Sequence, residues 1–301
     1  MNKLTLKGAI PPMITPFTTE GELDLQAHAH NLQKWNKINL GGYLVLGSNS
    51  EAAYLTEAEK LKLIRTTVEH AKEGRPVIAG TGMESTKETI YLTNKAAELG
   101  AHAALLLTPF YYKGKMNDAA IIKHFITIAE AAEIPIMLYN VTKYTGINVS
   151  SKVVTEISGH PNVIGMKDSS GNIGQLVHFQ KAAQPDYQIL TGTAGIWYPA
   201  LTLGVTAAVM ALANCAPKEC VQIQEYYEAG QLSEAETLYR RMVPLNTAIT
   251  ATFGIAGLKY VCSKIGLKGG AVRSPLSELT ADDKNKLDAI VEEAGIRIEN
   301  F

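Results

Sequence analysis

The stretch "NVIGMKDSSGN", residues 162–172, ends an apolar, β-prone run on Lys167 and continues at once with loop-forming residues. An apolar run without polar alternation predicts a strand that is buried on both faces, as in a parallel sheet. A lysine at the end of such a strand has two interpretations. Its long stem can carry the ammonium group out to solvent, or the amine can face a site at the carboxyl end of the sheet.

Seven further apolar runs have the same character, and amphipathic helical stretches separate them. These runs cover residues 8–17, 41–48, 76–82, 103–110, 134–140, 187–192 and 205–214. Thr56, with Glu59 three residues later, is typical of a helix start, and Ser85 is a second N-cap candidate. Eight strand–helix units in one chain predict an α/β fold, a closed (β/α)8 TIM barrel, in preference to an open sheet.

Helical patterns continue beyond the eighth strand and exceed what closing a barrel requires. We therefore predict a (β/α)8 barrel catalytic domain over residues 1–225 and a C-terminal helical extension over residues 226–301. The total length of 301 residues is ordinary for one barrel with such an addition.

Composition excludes several classes of protein. The formal net charge is −1 without any long basic block, which argues against a nucleic-acid partner. No run approaches the ~20 apolar residues of a membrane helix, and the first residues do not resemble a signal peptide. The cysteines are only three, which fits a reducing, cytoplasmic location. The histidines lack metal-ligand spacing, so we predict no metal site.

Polar side chains follow four of the predicted strands. Ser48 and Asn49 follow the second strand, residues 108–112 the fourth, Tyr139 and Asn140 end the fifth, and Lys167 ends the sixth. Catalytic groups of such barrels lie at the carboxyl ends of the strands. These side chains are therefore expected around one mouth.

A lysine among apolar strand residues suggests a particular chemistry. Burial disfavours the charged form of an amine, and a neutral amine attacks carbonyl carbon to give a Schiff base. The resulting iminium accepts electrons, so that an adjacent carbon–carbon bond can form or break without a metal. Such a step needs a proton shuttle near the imine, and Tyr139 on the neighbouring strand is the candidate. We therefore expect no cofactor beyond the covalent imine with the substrate.

Four motifs resemble those of the dihydrodipicolinate synthase and N-acetylneuraminate lyase superfamily, the class I pyruvate-dependent aldolases. They are "GSNSE" (47–51), "TPFYYKGKM" (108–116), "LYNVTKYTG" (138–146) and "GMKDSSGN" (165–172). Within the superfamily, these motifs together with "ALAN" and "FGIAGLK" are most similar to the 4-hydroxy-2-oxoglutarate aldolase branch. The resemblance extends over nearly the whole chain.

The resemblance implies roles for individual residues. Lys167 would form the imine, Tyr139 would move protons, and Ser48 would hydrogen-bond Tyr139. Tyr111 would complete the relay from a neighbouring subunit, which implies a homo-oligomer, a dimer or a tetramer. The remaining implied contacts are those with the substrate: Ser48 and Asn49 at the pyruvate carboxylate, Gly192 and Val209 along the pyruvate pocket, and Tyr144, Ser169, Ser170 and Thr193 at the distal end. Ser169 and Ser170 could equally be capping residues of their loop.

Departures from the family pattern bear on the substrate. Tyr144 stands where dihydrodipicolinate synthases have an arginine that grips a carboxylate, and a phenol cannot replace that bidentate fork. Ala194 and Gly195 stand where sialic acid lyases have an acidic pair. Thr142 replaces the usual proline of the fifth-strand loop, and Ser50 replaces the last glycine of the second-strand motif.

These observations predict a Schiff-base lyase that makes or breaks a carbon–carbon bond of a small 4-hydroxy-2-oxo acid, with pyruvate as the carbonyl partner and an aldehyde as the other. Two further enzymatic functions stay open. They are 4-hydroxy-tetrahydrodipicolinate (dihydrodipicolinate) synthase and a dehydratase or aldolase of a 2-oxo-3-deoxy sugar acid. A barrel that binds pyruvate or a sugar acid without turnover is the non-enzymatic alternative, although a binding protein would gain nothing from an activated lysine.

Overall fold

A computed structural model describes residues 4–297. Residues 1–3 of the predicted barrel domain and residues 298–301 of the predicted C-terminal extension lie outside the described region. Eight parallel strands form one sheet in the order β1-β8-β7-β6-β5-β4-β3-β2. The strands are β1 Gly8–Ile10, β2 Tyr43–Val45, β3 Val77–Gly80, β4 Ala103–Leu107, β5 Ile136–Asn140, β6 Val163–Asp168, β7 Gln188–Thr191 and β8 Ala207–Val209. The predicted (β/α)8 barrel is thus confirmed.

The barrel closes between its first two strands through residues that follow β1. Pro12 bridges Leu44 in parallel fashion, and the Met13 N–H donates to the Leu44 carbonyl at 2.9 Å. Pro11 and Pro12 have no N–H to offer a ladder, which explains why β1 is only three residues long.

Helices connect the strands and follow the last one. They are α1 Leu25–Trp35, α2 Glu57–His70, α3 Thr86–Glu98, α4 Asp118–Ala131, α5 Thr142–Thr145, α6 Ser151–Ser158, α7 Ile173–Ala182, α8 Trp197–Thr202, α9 Leu212–Cys215 and α10 Pro217–Glu228. The predicted caps are present: Thr56 and Glu59 form a reciprocal capping box at α2, and Ser85 caps α3. The predicted boundary between residues 225 and 226 falls inside α10.

The chain continues into the C-terminal helices α11 Leu232–Thr247, α12 Gly254–Lys264 and α13 Ala281–Glu293. A π-helix, Ala248–Thr252, joins α11 to α12. Such wide turns are rare and often mark functional sites. From residue 4 to residue 297, the chain has no helix that is long and apolar enough to cross a membrane.

Apolar side chains fill the barrel interior below the strand ends. Ile10, Leu44, Ile78, Met137 and Ile164 each have at most 1% of their surface exposed and belong to one packed cluster. Tyr139 and Val209 belong to the same cluster. Packed apolar side chains therefore fill the interior of the barrel. The polar groups at the carboxyl ends of the strands lie on top of this apolar layer.

Candidate active site

A cavity of about 220 Å³ opens at the carboxyl ends of the strands. Nine side chains or backbone positions that the sequence predicted for the site line it: Ser48, Asn49, Tyr139, Tyr144, Lys167, Ser169, Gly192, Thr193 and Val209. They come from the ends of strands β2, β5, β6, β7 and β8. The structure therefore brings the predicted set together, while the individual roles stay predictions.

Lys167 is buried, with 3% of its surface exposed. Parallel pairing puts it in register with Tyr139 on β5 and with Leu190 on β7. Its Nζ lies 4.1 Å from the centroid of the Tyr139 ring. The interpretation that this lysine extends into solvent is therefore wrong, because the strand alternation directs the side chain into the barrel.

The Tyr139 hydroxyl lies among donors. Burial of this phenol opposes its ionisation, but the nearby Lys167 charge and hydrogen bonds with Ser48, Ser169 and Lys167 outweigh that effect and lower the pKa of Tyr139 below its usual value. A phenol whose proton is more easily released is better suited to accept and return a proton near neutral pH. Ser48 lies close enough to this hydroxyl to help lower its pKa, and its predicted role in orienting Tyr139 stays a prediction.

Asp168 follows Lys167 and faces the opposite side of the strand. Its carboxylate accepts hydrogen bonds from Asn140 Nδ2 at 2.8 Å and from Ser170 Oγ at 2.5 Å. Asn140, a predicted polar group of the mouth, is thus buried behind the site and ties β5 to β6. Ser170 does not line the cavity, because its hydroxyl caps its own turn. The capping alternative is therefore the right one for Ser170, whereas Ser169 faces the cavity.

The loop after β2 is braced from below. Ser50 is 1% exposed; its Oγ accepts from the Gly47 N–H at 3.1 Å and donates to the Met13 carbonyl at 2.5 Å. The serine that replaces the family glycine therefore fixes the loop to the end of β1. Glu51, which follows it, has a left-handed backbone with φ of 55° and extends toward the C-terminal helices.

Glu51 forms a buried ion pair. Its Oε1 lies 2.5 Å from Lys259 Nζ, and its Oε2 accepts from the Arg273 N–H at 2.8 Å. Arg273 in turn pairs with Glu59 at 2.6 Å. The loop that presents Ser48 and Asn49 is thus anchored to α12 and to the segment after it.

Gly192 at the end of β7 leaves room for the lysine. A Cβ at this position would collide with Ser169 Oγ and would lie 2.9 Å from Lys167 Cε. Any side chain here would therefore displace the amine, which explains a glycine in the wall of the cavity.

Tyr111 lies elsewhere. It is 75% exposed and does not line the cavity of its own chain. Glu84 holds its loop by accepting the N–H groups of Phe110 and Tyr111 at 3.0 and 2.9 Å, and its ring meets that of Tyr112 edge-on with centroids 5.0 Å apart. An exposed position is compatible with the predicted role in a neighbouring subunit, and that role stays a prediction.

Sequence reasoning missed one wall of the cavity. Lys143 on α5 lines it, together with residues of the π-helix and the first turn of α12: Ile249, Thr250, Ala251, Gly254 and Ile255. Lys143 was visible as the residue before Tyr144 in a recognised motif. The residues of the extension gave no signal, because amphipathic helical sequence does not reveal which turn reaches back over the barrel.

Within residues 4–297, no three or more His, Cys, Asp or Glu side chains lie close enough to hold an ion. The three cysteines are buried as free thiols.

A buried lysine at a strand end, set against a phenol in a small polar cavity, defines a class of protein: a barrel enzyme with an amine nucleophile for carbonyl substrates. The model of the dihydrodipicolinate synthetase family matches residues 5–294. A relative is the 4-hydroxy-tetrahydrodipicolinate synthase of Methanococcoides burtonii, 33% identical over 290 residues that cover 96% of this chain and 98% of the relative.

Solved structures agree with this match. A dihydrodipicolinate synthase from Bacillus anthracis superposes with a TM-score of 0.92 at 27% identity and covers 96% of this chain and 99% of its own. The enzyme from Acinetobacter baumannii, solved in complex with pyruvate, gives 0.91 at 28% identity and covers 97% and 100%. The chain belongs to the dihydrodipicolinate synthetase family, the pyruvate-dependent class I lyases that work through a lysine Schiff base.

Proposed function

We propose that this protein is a reversible aldolase that cleaves a small 4-hydroxy-2-oxo acid to pyruvate and an aldehyde. The observation that carries the proposal is the position of Lys167. This side chain is buried, and its Nζ lies 4.1 Å from the centroid of the Tyr139 ring in the cavity. The motifs of the 4-hydroxy-2-oxoglutarate aldolase branch and the tyrosine at position 144 support this substrate class.

The reaction follows from the positions of the side chains. Lys167 gives its proton to the Tyr139 phenolate, its amine adds to the ketone carbon, and loss of water gives an iminium. A base removes the proton of the 4-hydroxyl, the bond between carbons 3 and 4 breaks, and its electrons move into the iminium to form an enamine. The aldehyde leaves, a proton adds to carbon 3, and water releases pyruvate. Tyr139 is the proposed carrier of these protons, with Ser48 orienting its hydroxyl.

The carboxylate beside the ketone needs donors. The half-buried Ser48 and Asn49 lie in a short 3₁₀ turn, Ser48–Ser50, whose N–H and hydroxyl groups are the proposed contacts. The bracing of this turn by Ser50 and Glu51 favours donors that are already oriented before substrate binds.

A second candidate is 4-hydroxy-tetrahydrodipicolinate synthase. The names of the curated relatives support it more directly than they support the aldolase. Tyr144 cannot form the bidentate contact that the arginine of those enzymes makes with a carboxylate, so this activity would need another cation at the mouth.

The decisive experiment combines trapping with a substrate panel. Borohydride added with pyruvate should give a reduced adduct on Lys167, located by peptide mass spectrometry. Pyruvate release from 4-hydroxy-2-oxo acids and from 3-deoxy-2-oxo sugar acids, beside condensation of pyruvate with aspartate semialdehyde, then ranks the candidates. An unmodified Lys167 would remove the whole mechanism, and fastest turnover with aspartate semialdehyde would favour the synthase. EDTA is expected to have no effect, since the proposal includes no metal or organic cofactor.

The role of Tyr111 in a homo-oligomer, a dimer or a tetramer, is part of the proposal. It is supported by the exposed position of this side chain outside its own cavity. Mixing the inactive variants Lys167→Ala and Tyr111→Phe after reversible dissociation should restore part of the activity, because some sites would then combine two intact residues. Unmixed variants are the control, and no recovery on mixing would place the tyrosine outside the relay. A cytoplasmic location is also proposed, and the free thiols support it.

A further inference from the structure

Lys143, an exposed residue of α5, forms part of the cavity wall. Its Nζ donates to the Thr250 carbonyl of the π-helix at 2.7 Å and lies 5.6 Å from the centroid of the Tyr144 ring. The lysine thus spans the mouth between a loop of the barrel and the C-terminal helices.

The charge of this wall is not balanced by the protein. The cavity is lined by two cationic side chains, Lys143 and Lys167, and none of its lining residues within 4–297 is Asp or Glu. The ion pairs formed in that part of the chain do not include Lys143. A 2-oxo acid brings one carboxylate, which leaves one positive charge without an anion.

The existing contact of Lys143 does not prevent it from binding a ligand. An ammonium group has three N–H donors, and the Thr250 carbonyl takes one of them. The carbonyl also holds the long side chain in one place at the mouth, so that less rotamer freedom is lost when an anion arrives. Lys143 is therefore a cation that one hydrogen bond holds in place, and its other N–H groups can bind an anion.

We propose that Lys143 binds a second carboxylate at the end of the substrate distant from the ketone, and that it selects aldehydes that carry a carboxylate. This inference rests on the proposed function, since it concerns the same cavity and the same imine. It assigns a cation to the distal end of the substrate although position 144 is a tyrosine.

The competing explanation is that Lys143 only tethers α5 to the π-helix. A tether would act on every ligand alike, whereas a carboxylate site would act only on ligands with a distal charge. Two 2-oxo acids of equal length, 2-oxoglutarate and 2-oxopentanoate, differ at that end by one carboxylate.

The experiment measures half-saturation of borohydride trapping on Lys167 for pyruvate, 2-oxoglutarate and 2-oxopentanoate. Lys143→Met should raise the half-saturation concentration of 2-oxoglutarate by about 10- to 100-fold, the range expected for the loss of a charged hydrogen bond. The half-saturation concentrations of the other two acids should change by less than about threefold. Lys143→Arg should recover part of the loss. Lys152→Met removes a surface charge outside the cavity and is the matched control.

The outcomes separate the two proposals. Equal weakening of all three acids, or no weakening of 2-oxoglutarate, overturns the role of Lys143 while trapping with pyruvate still supports the imine. Absence of an adduct with pyruvate in the unmodified protein overturns the proposed function and this inference with it.

Discussion

Two buried lysines of this chain have nearly the same exposure and different surroundings. Lys167 is 3% exposed and Lys259 is 2% exposed, and each Nζ lies over an aromatic ring, 4.1 Å from the centroid of Tyr139 and 4.6 Å from that of Phe17. Lys259 also has a carboxylate, Glu51, at 2.5 Å. No ion pair of residues 4–297 includes Lys167.

The partner, more than the burial, distinguishes the two amines. Burial lowers the pKa of Lys259 below its usual value, although the Glu51 carboxylate partly opposes that effect. The ion pair holds this amine against Glu51, and Lys259 does not line the cavity. Lys167 faces a phenol that can exchange a proton with it, and a cavity that admits a carbonyl compound. The comparison teaches that a buried lysine becomes a candidate nucleophile when its neighbours leave it without a fixed anion.

Replacing each of the two lysines with an uncharged residue should give the largest effects, a loss of activity for Lys167 and a loss of stability for Lys259. Lys167→Ala is expected to abolish the borohydride adduct and to lower turnover by at least about 10³-fold, with unfolding little changed. Lys259→Met should keep the adduct but reduce the free energy of unfolding by about 3–5 kcal/mol, because Glu51 stays buried without a partner. Mass spectrometry and urea unfolding measure the two effects.

A control removes the second charge as well. Glu51→Gln combined with Lys259→Met leaves no isolated buried charge, so part of the lost stability should return. An adduct on Lys259, or loss of the adduct in Lys259→Met with the fold intact, would break the distinction between the two amines.

The next largest effect is expected for the phenol. Tyr139→Phe keeps the ring next to Lys167 but removes the hydroxyl that carries protons, so turnover should fall about 10²- to 10⁴-fold while some imine is still trapped. Tyr187→Phe is the matched control, because Tyr187 is also buried and its hydroxyl has no hydrogen-bond partner in the described structure. Steady-state rates near those of the unchanged protein in Tyr139→Phe would exclude it as the shuttle.

Glu51→Gln tests whether the ion pair of Lys259 also positions the turn that holds Ser48 and Asn49. The amide cannot balance the Lys259 charge, and the turn that holds Ser48 and Asn49 loses its anchor. We expect KM for pyruvate to rise about 10-fold, corresponding to about 1.4 kcal/mol, with a smaller change in kcat. Glu59→Gln also weakens the contacts of Arg273 but lies farther from the turn, so it should lower Tm without changing KM. If the two variants have the same KM, Glu51 does not position the turn.

The smallest effect concerns pH. The hydrogen bond with Ser48 helps to lower the pKa of Tyr139, so Ser48→Ala should raise this pKa. If protonated Tyr139 is the active form, activity falls as pH rises through its pKa, and the alkaline limb of kcat/KM should shift to higher pH in the variant. Ser170→Ala, whose hydroxyl contacts Asp168 instead, should leave the limb in place. A shift to lower pH in Ser48→Ala would contradict the assignment.

Some features of the site were predictable because they depend on local pattern. The apolar run before Lys167 predicted a strand, and the parallel topology then required its end to meet those of Ser48 and Tyr139. The caps at Thr56 and Ser85 depend on residues within one turn, so that the sequence alone identifies them.

Other features depend on contacts distant in sequence. Lys259 lies on a helix whose sequence is amphipathic, and its partner Glu51 is 208 positions away; no local pattern connects them. Lys143 depends in the same way on Thr250, 107 positions later. The predicted role of Tyr111 would involve another subunit, and a contact between subunits leaves no local pattern in the sequence.

The wall formed by residues 249–255 has a consequence for synthesis of the chain. All eight strands precede it in sequence, so a ribosome-bound barrel can place Lys167 beside Tyr139 before the wall has been translated. The partners of Glu51, which anchor the turn after β2, also follow the eighth strand. The pocket is therefore complete only after the π-helix, Lys259 and Arg273 have been synthesised, because all of them follow the eighth strand in sequence.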